Sequence, residues 1–310
     1  MKKILNKYKG QIILLLCAIL WGSTFVAQKL GSDNIGPYAY TSFRFLTSGI
    51  ILGILFLIMK PSLIKKNEYS KPTKKTYFLA IVTGVALSLG AILQQIGLNL
   101  TNTDPFAASK SGFITSLYII IVPLIGVFFK QKLKLNVIFS LFIALIGAYL
   151  IASKDGLHLQ PGDICTLICA LFFAIQIILI DITVKQMHSI QLCSIEFLVT
   201  GVISLFMMLI FEKNTHIIQI KNALFAIMYA AIISGCFAYS FQVIGQKYTE
   251  PTTASLIMSL ESVFALIFSI IFLGEGKGLS LRAGIGCILV FTAVILSQIS
   301  FNNKKENIHN

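Results

Sequence analysis

Long apolar stretches alternate along the chain with short polar ones. A helix that crosses a bilayer needs about 20 mostly apolar residues, because the hydrocarbon layer offers no water to its backbone. Ten stretches approach that length: 11–30, 37–59, 76–99, 105–128, 135–153, 163–183, 190–211, 222–245, 252–273 and 281–300. Gly, Pro, Asn and charges mark the breaks, as in GSDNIG at 31–36 and KDGLHLQPGD at 154–163. The stretch 222–245 is less uniform, with Gly235 and several polar residues inside it. No connecting segment is long enough for a soluble domain. Lys2, Lys3, Lys7 and Lys9 ahead of the first apolar run look like the start of a signal peptide. That run outlasts the 7–15 residues of a signal core, so it is expected to stay as the first span.

Composition narrows the class. Hydrophobic residues make up 56% of the chain and charged residues 12%, with a mean hydropathy of +0.85. Soluble domains are about 45–50% apolar and roughly 25% charged. So few charges cannot cover a soluble fold of 310 residues. That excludes most cytoplasmic enzymes and disordered regulators, and leaves an all-α integral membrane protein of ten transmembrane helices.

The net charge of +13 does not point to nucleic acid. The basic residues sit in the short segments between spans, without a basic stripe of interleaved aromatics. They act instead as topology signals. One set of alternate segments carries 17 of them and the other set six, while Arg44 and Lys110 fall within spans. Because the number of spans is even, both termini are predicted on the basic, cytoplasmic side, with residues 301–310 as a short tail. The asymmetry is strong in the first half and weak in the second. Cys17, Cys165, Cys169, Cys193, Cys236 and Cys287 all lie in apolar stretches, without CxxC or Cys/His spacing. They read as small hydrophobes, and no metal or other cofactor is expected.

The two halves repeat. CAILWG at 17–22 matches CALFFA at 169–174, and RFLTSG at 44–49 matches EFLVTG at 196–201, both at an offset of 152. QQIGLNLT at 94–101 matches QVIGQKYT at 242–249 at 148, and ITSLYIIIVPLIGVFF at 114–129 matches IMSLESVFALIFSIIF at 257–272 at 143. Four matches in one order, with a slowly drifting offset, define repeats at 11–153 and 163–300. Each holds five spans. An odd number makes the second copy enter the membrane from the opposite face, so the halves are expected to be inverted. Secondary transporters use such repeats to place a substrate site near the midplane.

These residues carry a family resemblance. WGSTF at 21–25, RF at 44–45, FITSLYIIIVPL at 113–124 and SLESVFALIFSIIFLGE at 259–275 resemble the EamA-type transporters of the drug/metabolite transporter superfamily, over about residues 11–300. The family often has Pro after the Glu of the ninth span, where this chain has Ser262. The resemblance implies carrier-mediated movement of small metabolites, often export of amino acids or related compounds, without enzymatic chemistry. It also implies a cavity formed by the first, third, fourth, sixth, eighth and ninth spans, and a bacterial plasma membrane as the location.

Charges within the spans mark candidate sites. Each costs about 2.5–3.5 kcal/mol at the centre of a helix by insertion measurements. Glu261 lies near the middle of the ninth span and is the repeat equivalent of Tyr118. It is a candidate for proton exchange or for holding a cationic substrate group, with helix packing as the plainer reading. Arg44 and Glu196 are repeat equivalents of opposite sign. They suit coupling or gating, or a structural ion pair. Lys110, near the outer end of the fourth span, either snorkels to the interface or draws anionic groups inward. Gln94 and Gln242 are repeat equivalents, with Gln95 beside the first. Their amides suit a zwitterionic substrate or a neighbouring helix. Trp21, the sole Trp, and Tyr118 and Tyr239 are candidates for the cavity wall. Glu275 reads as a helix-end carboxylate near Lys277.

Enzyme motifs are absent: the chain has no GxxxxGK[ST], no HExxH and no GxSxG. The expected function is therefore transport of a small molecule without ATP, by alternating access and with protons as the candidate coupling ion. Export of drug-like cations is the alternative among transporters. An integral-membrane enzyme on lipid-linked substrates, or a non-transporting partner or sensor, is the alternative of another class.

Overall fold

The computed structural model describes residues 8–66, 71–101, 104, 106–128, 135–152, 160–274 and 281–298. Glu275, Lys277 and the tail at 301–310 lie outside them. The described chain is helical, in ten units: α1 (Lys9–Ser32), α2 (Pro37–Lys65), α3 (Lys74–Leu100), α4 (Ala107–Phe128), α5 (Leu135–Ala152), α6 (Pro161–Thr183), α7 (Ser189–Phe211), α8 (Ile217–Gln246), α9 (Pro251–Leu273) and α10 (Leu281–Gln298). Eight are long and apolar enough to cross a bilayer, and α5 and α10 are the shorter apolar pair. Pro opens α2, α6 and α9, where its missing N–H costs nothing. Thr73 caps α3 by accepting from the Thr76 N–H at 3.2 Å. Gly274 closes α9 in the left-handed conformation, φ 67°, which a side chain would strain.

Three spans are less regular than hydropathy predicts. α4 breaks at Leu117, between Ala107–Ser116 and Tyr118–Phe128. α9 breaks at Ser259 and Leu260, between Pro251–Met258 and Glu261–Leu273. The breaks are tightened turns: the N–H groups of Leu117 and Leu260 donate to the carbonyls of Ile114 and Ile257, three residues back. Ser116 and Ser259 add hydroxyl bonds to the carbonyls of Phe113 and Leu256. These are repeat equivalents throughout. At the family's Pro position, the Ser262 hydroxyl donates to the Ser259 carbonyl at 2.8 Å, so this chain makes its break without proline.

The third irregular span is α8, whose residues Ala230–Tyr239 are π-helical. A π-bulge holds one residue more than the α-helix around it. The repeat offset agrees. The Ser48 hydroxyl donates to the Ala231 carbonyl, and its equivalent Thr200 donates to the Gly84 carbonyl, which gives an offset of 147. Beyond the π segment the offset between α3 and α8 is 148. α8 therefore carries one extra residue relative to α3.

Packing follows the repeat. α2 lies against α7, and their contacts are reciprocal. The Ser42 hydroxyl donates to the Gly201 carbonyl and Ser194 donates to the Gly49 carbonyl, residues 152 apart in both pairs. A side chain on Gly49 would meet Leu198, and one on Gly201 would meet Leu46, again equivalents. As the register rises along α2 it falls along α7, so the two helices are antiparallel. α3 packs on α6 and α8 on α1, another exchanged pair, and α5 packs on α10. These contacts are compatible with an inverted five-helix repeat. The exposed large apolar side chains, such as Phe128, Phe142, Phe206 and Phe225, face outward as a surface in lipid must.

Candidate functional site

The helix irregularities and the buried polar side chains converge on one central cavity. Its volume is about 30 Å³, room for a water molecule or two. α1 contributes Trp21, Thr24, Phe25 and Gln28. α3 gives Gln94, α4 Thr115 and Tyr118, and α6 Phe173, Gln176 and Ile177. α8 gives Ser234, Tyr239 and Gln242, and α9 gives Glu261. α2 adds Arg44, beyond the six spans that the family resemblance implies. Much of the lining comes in repeat-equivalent pairs: Trp21 with Phe173, Thr24 with Gln176, Phe25 with Ile177, Gln94 with Gln242, and Tyr118 with Glu261.

Local structure explains why these side chains reach inward. Tyr118 and Glu261 are the first residues after the breaks in α4 and α9. A helix that restarts there presents a positive dipole end, which favours a carboxylate. Tyr239 ends the π segment and Ser234 lies within it, so the extra residue of α8 faces the cavity. π-bulges persist where an altered side-chain direction is useful.

Aromatic rings hold one wall. Trp21 meets Tyr239 edge-on at 4.9 Å between centroids. Tyr239 in turn packs on Phe197 at 5.3 Å and Phe45 at 5.9 Å. Arg44 lies over the Phe45 ring at 4.6 Å and the Tyr40 ring at 5.4 Å. Such contacts attract a cation but supply no acceptor for its N–H groups.

The charges are the unusual feature. Arg44 and Glu261 are each 3% exposed. Among the described residues neither has an ion pair, and Arg44 Nε and Glu261 Oε1 lack hydrogen-bond partners. Trp21 Nε1, Gln28 Oε1 and the Tyr118 hydroxyl are likewise unpartnered. Buried polar groups are normally satisfied, and an unpaired buried charge is costlier still. Other unpartnered polar atoms lie away from the cavity, Glu196 Oε1 among them, but Arg44 and Glu261 are the charged ones that line it.

Of the other sequence candidates, Gln94 and Gln242 line the cavity, while Glu196, Lys110 and Gln95 do not. Glu196 lies behind the wall, where its Oε2 accepts from Gln176 Nε2 at 3.1 Å. Lys110 does not line the cavity. Its ammonium pairs with Asp163 Oδ2 at 2.6 Å and Asp104 Oδ2 at 3.5 Å. Gln95 joins α3 to α1, donating to Ser32 Oγ and the Gln28 carbonyl. Gln94 donates to Thr115 Oγ1 at 3.0 Å, and Gln242 donates to Gln176 Oε1 at 3.1 Å. Sequence reasoning missed the polar Thr24, Gln28, Thr115, Gln176 and Ser234 and the apolar Phe25, Phe173 and Ile177. Their repeat pairing was the signal that could have found Thr24 and Gln176. Among the described residues no three His, Cys, Asp or Glu side chains converge to hold a metal ion.

Known proteins agree in kind. The EamA-like transporter family model matches residues 8–153 and 160–298. An uncharacterized transporter of Archaeoglobus fulgidus is 29% identical, covering 92% of this chain and 84% of its own length. The uncharacterized transporter YoaV of Bacillus subtilis is 21% identical over 96% of this chain and 99% of its own. A protein of known crystal structure shares the fold with a TM-score of 0.75 at 15% identity, over 94% of this chain and 97% of that one. With two matched five-helix segments spanning nearly all its helices, the chain belongs to the EamA-like transporter family.

Proposed function

We propose that this transporter moves a small zwitterionic metabolite, an amino acid or a close relative, out of the cell by alternating access. One observation carries the reading: a buried guanidinium and a buried carboxylate, both without an ion pair among the described residues, line the same small cavity. Arg44 suits a substrate carboxylate, which its planar fork can grip at two points. Glu261 suits the ammonium group, and the Trp21–Tyr239 wall suits an apolar side chain. Arg44 counts against a substrate that is only cationic, since like charges would share a dry space.

At about 30 Å³ the cavity is too small for a metabolite, so its walls must part. The repeats at 11–153 and 163–300 supply the means. If the halves are inverted copies, each inward-open arrangement has an outward-open counterpart, and the reciprocal contacts of α2 and α7 support that relation. The chain has no nucleotide-binding loop, so the energy comes from an ion gradient or from the substrate's own. The plasma membrane and cytoplasmic termini belong to the same proposal and rest on the basic residues of alternate loops.

Flux in proteoliposomes tests the reading. Purified protein is reconstituted with pooled labelled amino acids, with and without a pH gradient. Flux of amino acids, lost in Glu261→Gln, is the expected result. Flux confined to organic cations, or amino-acid flux unchanged in Glu261→Gln, would overturn it. A response of flux to the gradient separates proton coupling from facilitated movement.

A further inference from the structure

Glu196 is a carboxylate 1% exposed that stands one side chain away from the cavity without lining it. Its Oε2 accepts from Gln176 Nε2 at 3.1 Å, and Gln176 Oε1 accepts from Gln242 Nε2 at 3.1 Å. A return bond from Gln176 Nε2 to Gln242 Oε1 is at the limit, 3.5 Å. Gln176 and Gln242 both line the cavity.

The direction of this chain is not free. Glu196 meets Gln176 through Oε2 as the acceptor, the only part an ionised carboxylate can play. It therefore turns the NH₂ group of Gln176 toward itself, and the Gln176 carbonyl oxygen is left for Gln242. Gln242 must answer with its own NH₂, which fixes where its carbonyl oxygen lies. Without the carboxylate, each amide could turn over at little cost, because its two ends are nearly the same size. The other half of the molecule shows the contrast. The equivalents of Glu196, Gln176 and Gln242 are Arg44, Thr24 and Gln94. There Gln94 donates to the hydroxyl of Thr115, which can donate or accept and so imposes no direction. Only the second half has an acceptor that sets the polarity of its amides.

We propose that Glu196 is a positioning residue: acting through Gln176, it holds Gln242 with its carbonyl oxygen as a ready acceptor for the N–H groups of the substrate's ammonium. The inference rests on the zwitterionic reading given above and adds a second recognition element beside Glu261. It also explains why a buried carboxylate is kept outside the cavity, where it cannot compete with Glu261 for the cation.

The test uses Glu196→Gln, which keeps size and replaces an acceptor with a group that both donates and accepts. Two readouts are taken on the full-length protein. The first is the side-chain amide ¹⁵N–¹H resonance of Gln242, which has no contact with Glu196. It is expected to shift in E196Q, and a resonance that stays in place overturns the proposal whatever the substrate. The second is affinity, followed by fluorescence of the sole Trp, Trp21, in the cavity wall. The probes are a pool of L-amino acids and a pool of the matching carboxylic acids without the amine. E196Q is expected to weaken the amino-acid pool about tenfold and to leave the deaminated pool within about twofold. An equal loss for both pools shows a merely structural role and overturns the proposal. If neither pool binds the wild type, the zwitterionic reading fails, while the Gln242 resonance still decides the positioning.

Discussion

Two buried cations show how the same residue class takes opposite roles. Lys110 is held by two carboxylates, and removing it strands Asp163, which is 3% exposed, without its counter-ion. Lys110→Met should lower stability by about 3–5 kcal/mol, the usual cost of breaking a buried pair. Among the described residues Arg44 has ring contacts and no ion pair. Arg44→Met removes an unpaired charge and should raise the thermal midpoint in detergent, by a free energy of about 1 kcal/mol or more, while abolishing amino-acid flux. A lower midpoint for Arg44→Met would mean the guanidinium is held by the fold and not reserved for a ligand. The intramembrane position of both residues was legible in the sequence, because a charge within a long apolar run stands out. Their partners were not. Asp163 is 53 positions from Lys110 and reads as part of a loop, yet it sits in the first turn of α6, where it also accepts from the Gln160 N–H. Neutral groups were harder still. Thr24 spends its hydroxyl on the Leu20 carbonyl one turn back, as most intramembrane threonines do, so only its pairing with Gln176 in the repeat separates it from a lipid-facing one.

Elements follow the same division. The order and number of helices were readable, because a backbone in hydrocarbon must satisfy itself and so needs long unbroken apolar runs. The breaks in α4 and α9 and the π segment of α8 were not readable. They lie deep within apolar runs and change the direction of side chains without changing hydropathy. The repeat does show the π segment once α3 and α8 are aligned, as an offset that moves by one residue. That gives a test of its purpose. Deleting Ile232, on the outward side of the segment, should restore an ordinary α-helix. The turns on either side would keep their facing, as they do in α3, because the bulge absorbs its extra residue locally. The side chains inside the segment, Ser234 first among them, would be redirected away from the cavity. Helix content by circular dichroism should be retained, with binding of the amino-acid pool weakened at least tenfold. Wild-type affinity in a folded deletion variant would show that the π segment does not shape the site.

The whole molecule is closed at two ends by equivalent contacts. At one end Gly10 of α1 meets Gly245 of α8, where a side chain on Gly10 would strike Tyr248, Thr249 and the Gly245 carbonyl. At the other, Gly162 of α6 meets Gly97 of α3, where a side chain on Gly162 would strike Leu100, Thr101 and the Gly97 carbonyl. Every partner in one set is the repeat equivalent of a partner in the other. Backbone this close leaves no room for a methyl group, because a carbonyl cannot rotate aside as a side chain can. With both contacts made, the cavity measures about 30 Å³. Alternating access requires that they open in turn, so a methyl group at either should bias the molecule toward opening that end. Gly10→Ala and Gly162→Ala can be compared in vesicles with Ser234→Cys as the reporter, on a background in which the six native cysteines are replaced. A membrane-impermeant maleimide is added from one side and then from the other. A bias of about 1.4 kcal/mol changes the open population about tenfold. Gly162→Ala should therefore be labelled about tenfold faster than the parent from one side, and Gly10→Ala about tenfold faster from the opposite side. The comparison does not depend on which terminus faces the cytoplasm, because the two variants need only differ in sign. Faster labelling of both from the same side would show that the contacts do not act as opposed closures, and the two-fold exchange of halves would fall with them.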